Sequence, residues 1–284
     1  MFSKKSWLFI PSNNAKMVRK SKELQADVLI FDLEDAVPAT NKKEAYQVLH
    51  DNLDTSLNQE KKVITRVNSV KSSFIKNDID FITDQNIRTI MVPKIETQTD
   101  IINLLELLKQ KEIHLQTTLI PLIETAKGIE NLLTIAKASN RIERVAFGAL
   151  DYINDIKGTL SKHGHELFYA RGKIINSSRA ANILEPIDTV FKDIEDLEGL
   201  HNEAKIVKNM GFKGKLAIHP NQLDIINEVF SPSFEEVEKA KKIVSAFNYN
   251  KTQGSGSVKV NGEMVDMPVV KQAQKIIDEF KNTK

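Results

Sequence analysis

The chain has 284 residues, enough for one large α/β barrel or two ordinary domains, with a sizeable core in either case. Forty basic residues stand against 38 acidic ones, a formal charge of +2, and they are dispersed rather than striped, which sets nucleic acid aside as a partner. Cysteine is absent, which excludes disulfides, thiolate nucleophiles and cysteine-based zinc sites, and no stretch reads as long enough to span a membrane, so a soluble cytoplasmic protein is expected.

Trp7 to Ile10, preceded by two lysines, is far shorter than a signal-peptide core; followed by Pro-Ser-Asn-Asn, it reads as a short buried strand. Asn13 or Asn14 is placed to cap a helix containing Met17, Val18 and Leu24. Val28 to Leu33 is a second apolar run, ending in Glu34 and Asp35 before a helix with Ala45, Val48 and Leu49 on one face. Val63 to Val67 is the third, with Arg66 and Asn68 at its end and a helix carrying Phe74, Ile75, Ile79 and Ile82. Thr89 to Pro93 is the fourth, followed by Lys94 and Glu96 and by an amphipathic helix with Ile101, Leu104, Leu105 and Leu108.

Leu115 to Ile123 is the fifth run and ends at Glu124; Thr125 then caps a helix whose face is Ile129, Leu132, Leu133 and Ala136. Arg144 to Leu150 is the sixth run and ends at Asp151. Asn154 to Ile183 is helical in its second half, Pro186 to Phe191 offers a seventh strand before a helix with Leu197, Leu200, Ala204 and Val207, and Lys215 to Ile218 offers the eighth. Ser233 and Glu236 form a capping box for a helix bearing Val237, Ala240, Val244 and Phe247.

Eight apolar runs alternating with amphipathic helices predict a parallel (β/α)₈ TIM barrel, with a doubly wound open sheet as the alternative. The count, the polar residues closing nearly every run, and the lack of a G-x-G-x-x-G or P-loop signature favour the barrel. Tyr249 to Gly262 is polar and glycine-rich and reads as a mobile linker or lid; a last helix follows, with Pro268 in its first turn and Val269, Ala273, Ile276 and Phe280 on one face. The expected organisation is thus a barrel over residues 1–248 and a C-terminal lid and helix over 249–284, the apolar face of that helix burying on its own barrel or on a neighbouring subunit.

Glu124 and Asp151 end neighbouring predicted strands, so both emerge at one end of a parallel sheet. Two carboxylates, with water and substrate oxygens completing an octahedron, suit Mg²⁺; the alternatives are solvated loop carboxylates, or for Glu124 a favourable place at a helix N-terminus. Arg66, among several carboxylates, suits a clamp for a substrate carboxylate or an enolate oxygen, with a surface salt bridge as the alternative. Glu34 and Asp35 read either as contacts to metal-bound water or as structural groups, Lys94 as their ion-pair partner or as a Schiff-base amine, His219 as a loop histidine or a catalytic one, and Asp266 as a neighbour of a helix N-cap.

Read together, WLFIPSNN with DLEDAV, RVN, MVPKIET, PLIETAKGIENL, FGALDY, SRAAN with PID, GFKGKLAIHPNQ and NGEMVDMP carry a resemblance over almost the whole chain. The sequence resembles the citrate lyase β-subunit-like proteins of the HpcH/HpaI aldolase superfamily. The resemblance implies a (β/α)₈ barrel in trimers or hexamers and a Mg²⁺-dependent carbon–carbon lyase working on a citryl- or malyl-CoA-like thioester. A malate or β-methylmalate synthase-type condensation of acetyl-CoA with a 2-oxo acid, a thioesterase, and a non-catalytic subunit binding an acyl carrier protein are the other implied classes. It further implies Glu124 and Asp151 as metal ligands, Arg66 as the substrate-binding arginine, Asp266 as an acid/base donated across a subunit interface, and Lys16, Arg19 and His219 to Gln222 as contacts to CoA. KKSWLFIPSNN departs from the arginine and glycine that many relatives carry there, so contacts to the thioester carrier are expected to differ.

Overall fold

The computed structural model describes residues 4–53, 62–111, 117–252 and 256–281. They fall into two units, Lys4–Ile226 and a second beginning at Asn227. In the first unit eight parallel strands pair in chain order and the last returns to the first, closing a barrel. The strands are β1 (Ser6–Pro11), β2 (Val28–Asp32), β3 (Lys62–Arg66), β4 (Thr89–Val92), β5 (Thr118–Ile123), β6 (Ala146–Phe147), β7 (Ile187–Asp188) and β8 (Gly214–Ala217). Helices make the crossovers: α1 (Ala15–Ser21), α2 (Lys42–Asn52), α3 (Ile75–Asp84), α4 (Gln98–Lys109), α5 (Ala126–Glu130) with α6 (Leu132–Ala136), α7 (Ala149–Asp155) with α8 (Phe168–Ala180), and α9 (Leu197–Met210). Among the described residues no helix is long and apolar enough to cross a membrane.

Strand side chains alternate between faces, so counting by two along each strand gives the barrel interior. Trp7, Val28, Ile30, Ile64, Met91, Ile120, Leu122, Ala146, Ile187 and Leu216 form that interior as one buried cluster. The same counts, carried one step further, change chemistry. Val28 and Ile30 lead to Asp32, Ile64 leads to Arg66, and Ile120 and Leu122 lead to Glu124. Because the strands are parallel and in register, with Asp32 directly opposite Arg66, the charged ends collect at the C-terminal mouth.

The outer face of the sheet carries a second charged group. Asp188 and Lys215 lie opposite each other on β7 and β8, both fully buried. Arg171 of α8 grips Asp188 with both ends of its fork, at 2.9 and 3.0 Å, and Lys215 Nζ donates to Asp188 at 2.7 Å and to Glu203 of α9 at 2.5 Å. Burial alone would raise the Asp188 carboxyl; Arg171 and Lys215 outweigh it and hold it below the ordinary carboxylate value.

Several sequence expectations need correction. The sixth strand does not run to Leu150: it stops at Phe147, and Ala149–Asp155 is helical, closed by Tyr152 N–H donating to the Gly148 carbonyl, so Asp151 sits in the first turn of a helix rather than on a strand end. The helix after Thr125 breaks at Asn131, whose side chain donates to the Glu96 carbonyl; the inward face becomes Ile129, Leu132, Ile135 and Ala136, while Leu133 is exposed. Leu115 and Gln116, at the start of the expected fifth strand, lie outside the described residues.

The second unit is built on α11 (Phe234–Thr252) and α12 (Met267–Lys281), which follow α10 (Leu223–Phe230). The Ser233–Glu236 capping box is present in both directions. The expected lid is not structureless: α11 runs on to Thr252, and β9 (Val258–Val260) pairs antiparallel with β10 (Glu263–Val265). Asn261 and Gly262, at φ 47° and 90°, make the two-residue turn; the Asn-Gly pair between short apolar strands is the signal for it. Residues 253–255 of that segment lie outside the described residues. Ala273 and Ile277 of α12 pack with Ala240, Ile243 and Phe247 of α11 and Val265 of β10, so the apolar face of the last helix is covered from within its own unit.

Replacing Asp188 by Asn leaves the buried Arg171 and Lys215 sharing Glu203 as counter-charge and should cost about 3–5 kcal/mol at pH 7. Since the folded state holds this carboxyl below its unfolded value of about 3.9, its stabilisation is complete above that pH and disappears as pH falls through the folded value. Urea unfolding at pH 7 and in acid should therefore show the gap between wild type and Asp188→Asn narrowing in acid.

Candidate active site

The mouth of the barrel encloses a cavity of about 380 Å³ whose lining includes Asp32, Asp35, Arg66, Glu124, Gly148 and Asp151. Its positive side is Arg66. The guanidinium Nε donates to Asp32 Oδ1 at 2.8 Å and Nη2 to Oδ2 at 2.5 Å, Nη1 lies 3.2 Å from Glu34, and the ring of Phe9 lies under the group, 4.7 Å from its centre. Asp32 is itself fixed by the backbone N–H groups of Glu34 and Ala36. Burial works against the Arg66 charge, and the Asp32 hydrogen bonds more than restore it, so the guanidinium is held charged. Two donations to Asp32 leave the other N–H groups, including those of Nη1 beside Glu34, for further acceptors.

Glu34 also takes the Lys94 ammonium at 2.6 Å, and Asp35 is 3.6 Å from it. Although burial would lower the Lys94 pKa, Glu34 raises it, so this is an ammonium rather than an amine poised for Schiff-base chemistry. Lys94 adopts φ 57°, a left-handed backbone that a residue with a Cβ enters at a cost of about 1–3 kcal/mol. What this conformation accomplishes is visible on the far side of its peptide: the Lys94 N–H donates to Glu124 Oε1 at 2.7 Å.

The negative side is Glu124 and Asp151. Glu124 is 2 % exposed, and its pKa is pushed up to about 8, first by burial and then by the neighbouring charges of Asp151 and Glu34. Asp151 stands over it because the chain turns at Gly148 immediately after β6. A Cβ at Gly148 would lie 2.7 Å from both the Glu124 Cβ and Oε2, so only glycine lets the turn pass this close. The Gly148 N–H donates to the Ile123 carbonyl and the Ala149 N–H to Thr189 Oγ1, which holds the turn on two sides.

A divalent cation fits this donor set. Two neighbouring carboxylates, one driven toward its protonated form by burial and then by the charge of the other, would relax if a cation replaced the proton, and Mg²⁺ needs only one or two protein carboxylates when substrate and water supply the rest. Among the described residues no group of three or more His, Asp or Glu could hold a metal ion by itself.

The remaining candidates lie elsewhere. Lys16 and Arg19 are exposed on α1, Arg19 donating to Asn52, while Met17 of the same helix lines the cavity. His219 is exposed and bonded to Asn221; Gln222 is buried and committed to its loop, accepting from Ile218 and His219 N–H and donating to the Phe191 carbonyl. Asp266 belongs to the second unit, where it is exposed and caps α12 through the Val269 and Val270 N–H groups. Asp32, Gly148 and Thr189 were not singled out from the sequence. Counting by two from Val28 finds Asp32, and the glycine between an apolar run and Asp151 is a signal for a close turn; nothing in the sequence marks Thr189.

Comparison with known proteins gives one consistent result. The model of the family described as HpcH/HpaI aldolase/citrate lyase matches residues 5–220. The citrate lyase subunit beta of Leuconostoc mesenteroides subsp. cremoris is 35 % identical over 279 residues, 96 % of this chain and 92 % of that protein. The mitochondrial citramalyl-CoA lyase of Homo sapiens is 32 % identical over 95 % of this chain and 83 % of that protein. Among solved structures, the CitE protein of Mycobacterium tuberculosis in complex with magnesium, acetoacetate and coenzyme A superposes with a TM-score of 0.84 at 27 % identity, covering 98 % of each chain.

A methyl group at Gly148 must displace Glu124. Gly148→Ala should weaken Mg²⁺ binding, measured by calorimetry, and cost about 1–3 kcal/mol of stability through overpacking.

Proposed function

The chain belongs to the HpcH/HpaI aldolase/citrate lyase family, and on that premise we propose that it is a Mg²⁺-dependent carbon–carbon lyase cleaving a 3-hydroxy-acyl thioester of the citryl- or malyl-CoA kind. The observation that carries the proposal is the facing of two charge types across one cavity: the buried Glu124 beside Asp151 on one side, and Arg66, locked by Asp32, on the other. Glu124 and Asp151 would hold the ion. When bound, Mg²⁺ supplies Lewis-acid polarisation of the substrate's hydroxyl or keto oxygen.

Asp266 takes the β-hydroxyl proton in the direction of cleavage. The carbon–carbon bond then breaks, its electron pair passes into the thioester carbonyl as an enolate, and return of the proton from Asp266 to the enolate carbon yields an acetyl thioester and a 2-oxo acid. Arg66 presents its remaining N–H groups to the developing enolate oxygen, and because its fork is already held by Asp32 it needs no reorganisation as charge arrives. In the reverse direction Asp266 deprotonates the acetyl methyl group.

In this reading Asp266 is donated by a neighbouring subunit of a homotrimer or hexamer; its exposure and its anchorage at the start of α12 suit a carboxylate presented to a partner. Lys16, Arg19 and the His219–Gln222 loop receive the CoA, or the equivalent arm of an acyl carrier protein, at a cytoplasmic location. Gln222 then serves by shaping the loop, since its amide is already committed.

Purified protein with Mg²⁺, and with EDTA as control, should be offered citryl-CoA, malyl-CoA, and acetyl-CoA with glyoxylate or oxaloacetate, with products read by mass spectrometry. Cleavage of one thioester that EDTA abolishes is expected; turnover that survives EDTA contradicts the proposal, and silence in every well favours a carrier-binding subunit. Arg66→Lys keeps the charge but loses the fork, and should lower kcat/KM roughly 10²-fold or more. Asp266→Ala should abolish turnover with Mg²⁺ affinity unchanged, and retained turnover excludes it as the essential base.

A further inference from the structure

We propose that Thr189 is a positioning residue for Asp151: its hydroxyl, just beyond the end of β7, holds the first turn of α7 and so sets the carboxylate that faces Glu124. The inference rests on Glu124 and Asp151 being the Mg²⁺ pair. It starts from how little sheet there is near Asp151. β6 has two residues, paired to β5 through Leu122 with Ala146 and Ile123 with Phe147, and to β7 only through Ala146 with Ile187. Beyond Phe147 the chain leaves the ladder, and Asp151 lies four residues on.

Two hydrogen bonds catch that departing chain. On one side the Gly148 N–H donates to the Ile123 carbonyl at 2.9 Å; on the other the Ala149 N–H donates to Thr189 Oγ1 at 3.0 Å. The first N–H groups of a helix have no partner inside it, and a neighbouring Ser, Thr, Asp or Asn ordinarily supplies one. The residue before α7 is Gly148, which has no side chain, and no side-chain cap is made there. Gly148 is constrained by Glu124, since any larger residue would collide with it. The missing acceptor is therefore supplied from the next strand of the barrel, by Thr189.

Thr189 is itself held firmly enough to do this. It is 3 % exposed, lines the cavity, and directly follows Asp188. Adjacent strand residues point to opposite faces, so the ion cluster of Asp188 with Arg171 and Lys215 behind the sheet fixes the residue in front of it. A chain of contacts thus runs from the buried charges outside the barrel through β7 to Thr189, the Ala149 N–H and Asp151. A valine at 189 has the shape of threonine without the acceptor and leaves a buried N–H unpaired.

Mg²⁺ affinity should be measured by calorimetry, without substrate, for wild type, Thr189→Val and Thr189→Ser, each checked by thermal unfolding, together with hydrogen exchange at the Ala149 amide. Loss of a group that orients a metal ligand weakens metal binding by roughly tenfold or more; Thr189→Val should show this and Thr189→Ser should stay within about twofold of wild type. By linkage, Mg²⁺ should slow Ala149 exchange in the wild-type protein, a readout that survives even if the valine variant fails to fold. A wild type that binds no Mg²⁺ removes the metal reading itself. A wild type that binds it, with Thr189→Val binding equally well, with Thr189→Ser as weak as valine, or with Ala149 exchange insensitive to Mg²⁺, overturns the role of Thr189.

Discussion

A carboxylate at 2 % exposure with a second carboxylate beside it can persist only if one of them keeps a proton or a cation stands between them. Glu124 lives under that condition, and much of the barrel mouth is arranged around it. Lys94 enters a left-handed backbone conformation and offers its N–H to one Glu124 oxygen. Gly148 gives up its side chain so that the turn carrying Asp151 can pass over Glu124. In the protein alone burial and the neighbouring carboxylates push the Glu124 pKa up to about 8; a divalent cation would meet the same conflict with both groups ionised.

Arg66 is the complementary half, and it is kept from neutralising Glu124 by being tied elsewhere. Its fork is filled by Asp32, its neighbour in the β2–β3 register, and Phe9 supports its face. Asp32 in turn is held by two backbone N–H groups of its own loop. The positive group thus belongs to β2 and β3, the negative pair to β5 and the turn after β6, and the cavity lies between them. Arg66, Glu124 and Asp151 all line this one cavity.

The barrel was legible because its two periodicities are strong: short β-branched runs alternating with helices whose apolar residues repeat at helical spacing. That Glu124 and Asp151 come to one cavity was legible because both carboxylates close apolar runs. Asp32 is hidden in the sequence within an apolar run, yet it is the next inward step after Val28 and Ile30, and that step puts a buried acid opposite Arg66. Val145, Phe147 and Leu150 look alike in hydropathy and so extend the apparent sixth strand; what ends the strand is the Gly148 turn, packed against Glu124 from another strand. Thr189 acts on a residue forty positions away, a relation that exists only once the barrel closes. Beyond the barrel, glycine and polar residues suggested a mobile lid, yet the Asn-Gly pair marks a hairpin, and alternating valines flank it.

The central claim is that Glu124 and Asp151 bind one ion between them. Crystals soaked in Mn²⁺, an anomalously scattering substitute for Mg²⁺, test it most directly. The account predicts a single anomalous peak at the barrel mouth at coordinating distance, roughly 2.1 Å, from an oxygen of each carboxylate. A peak that touches only one of them, one that forms at another site, or none at saturating metal would contradict it.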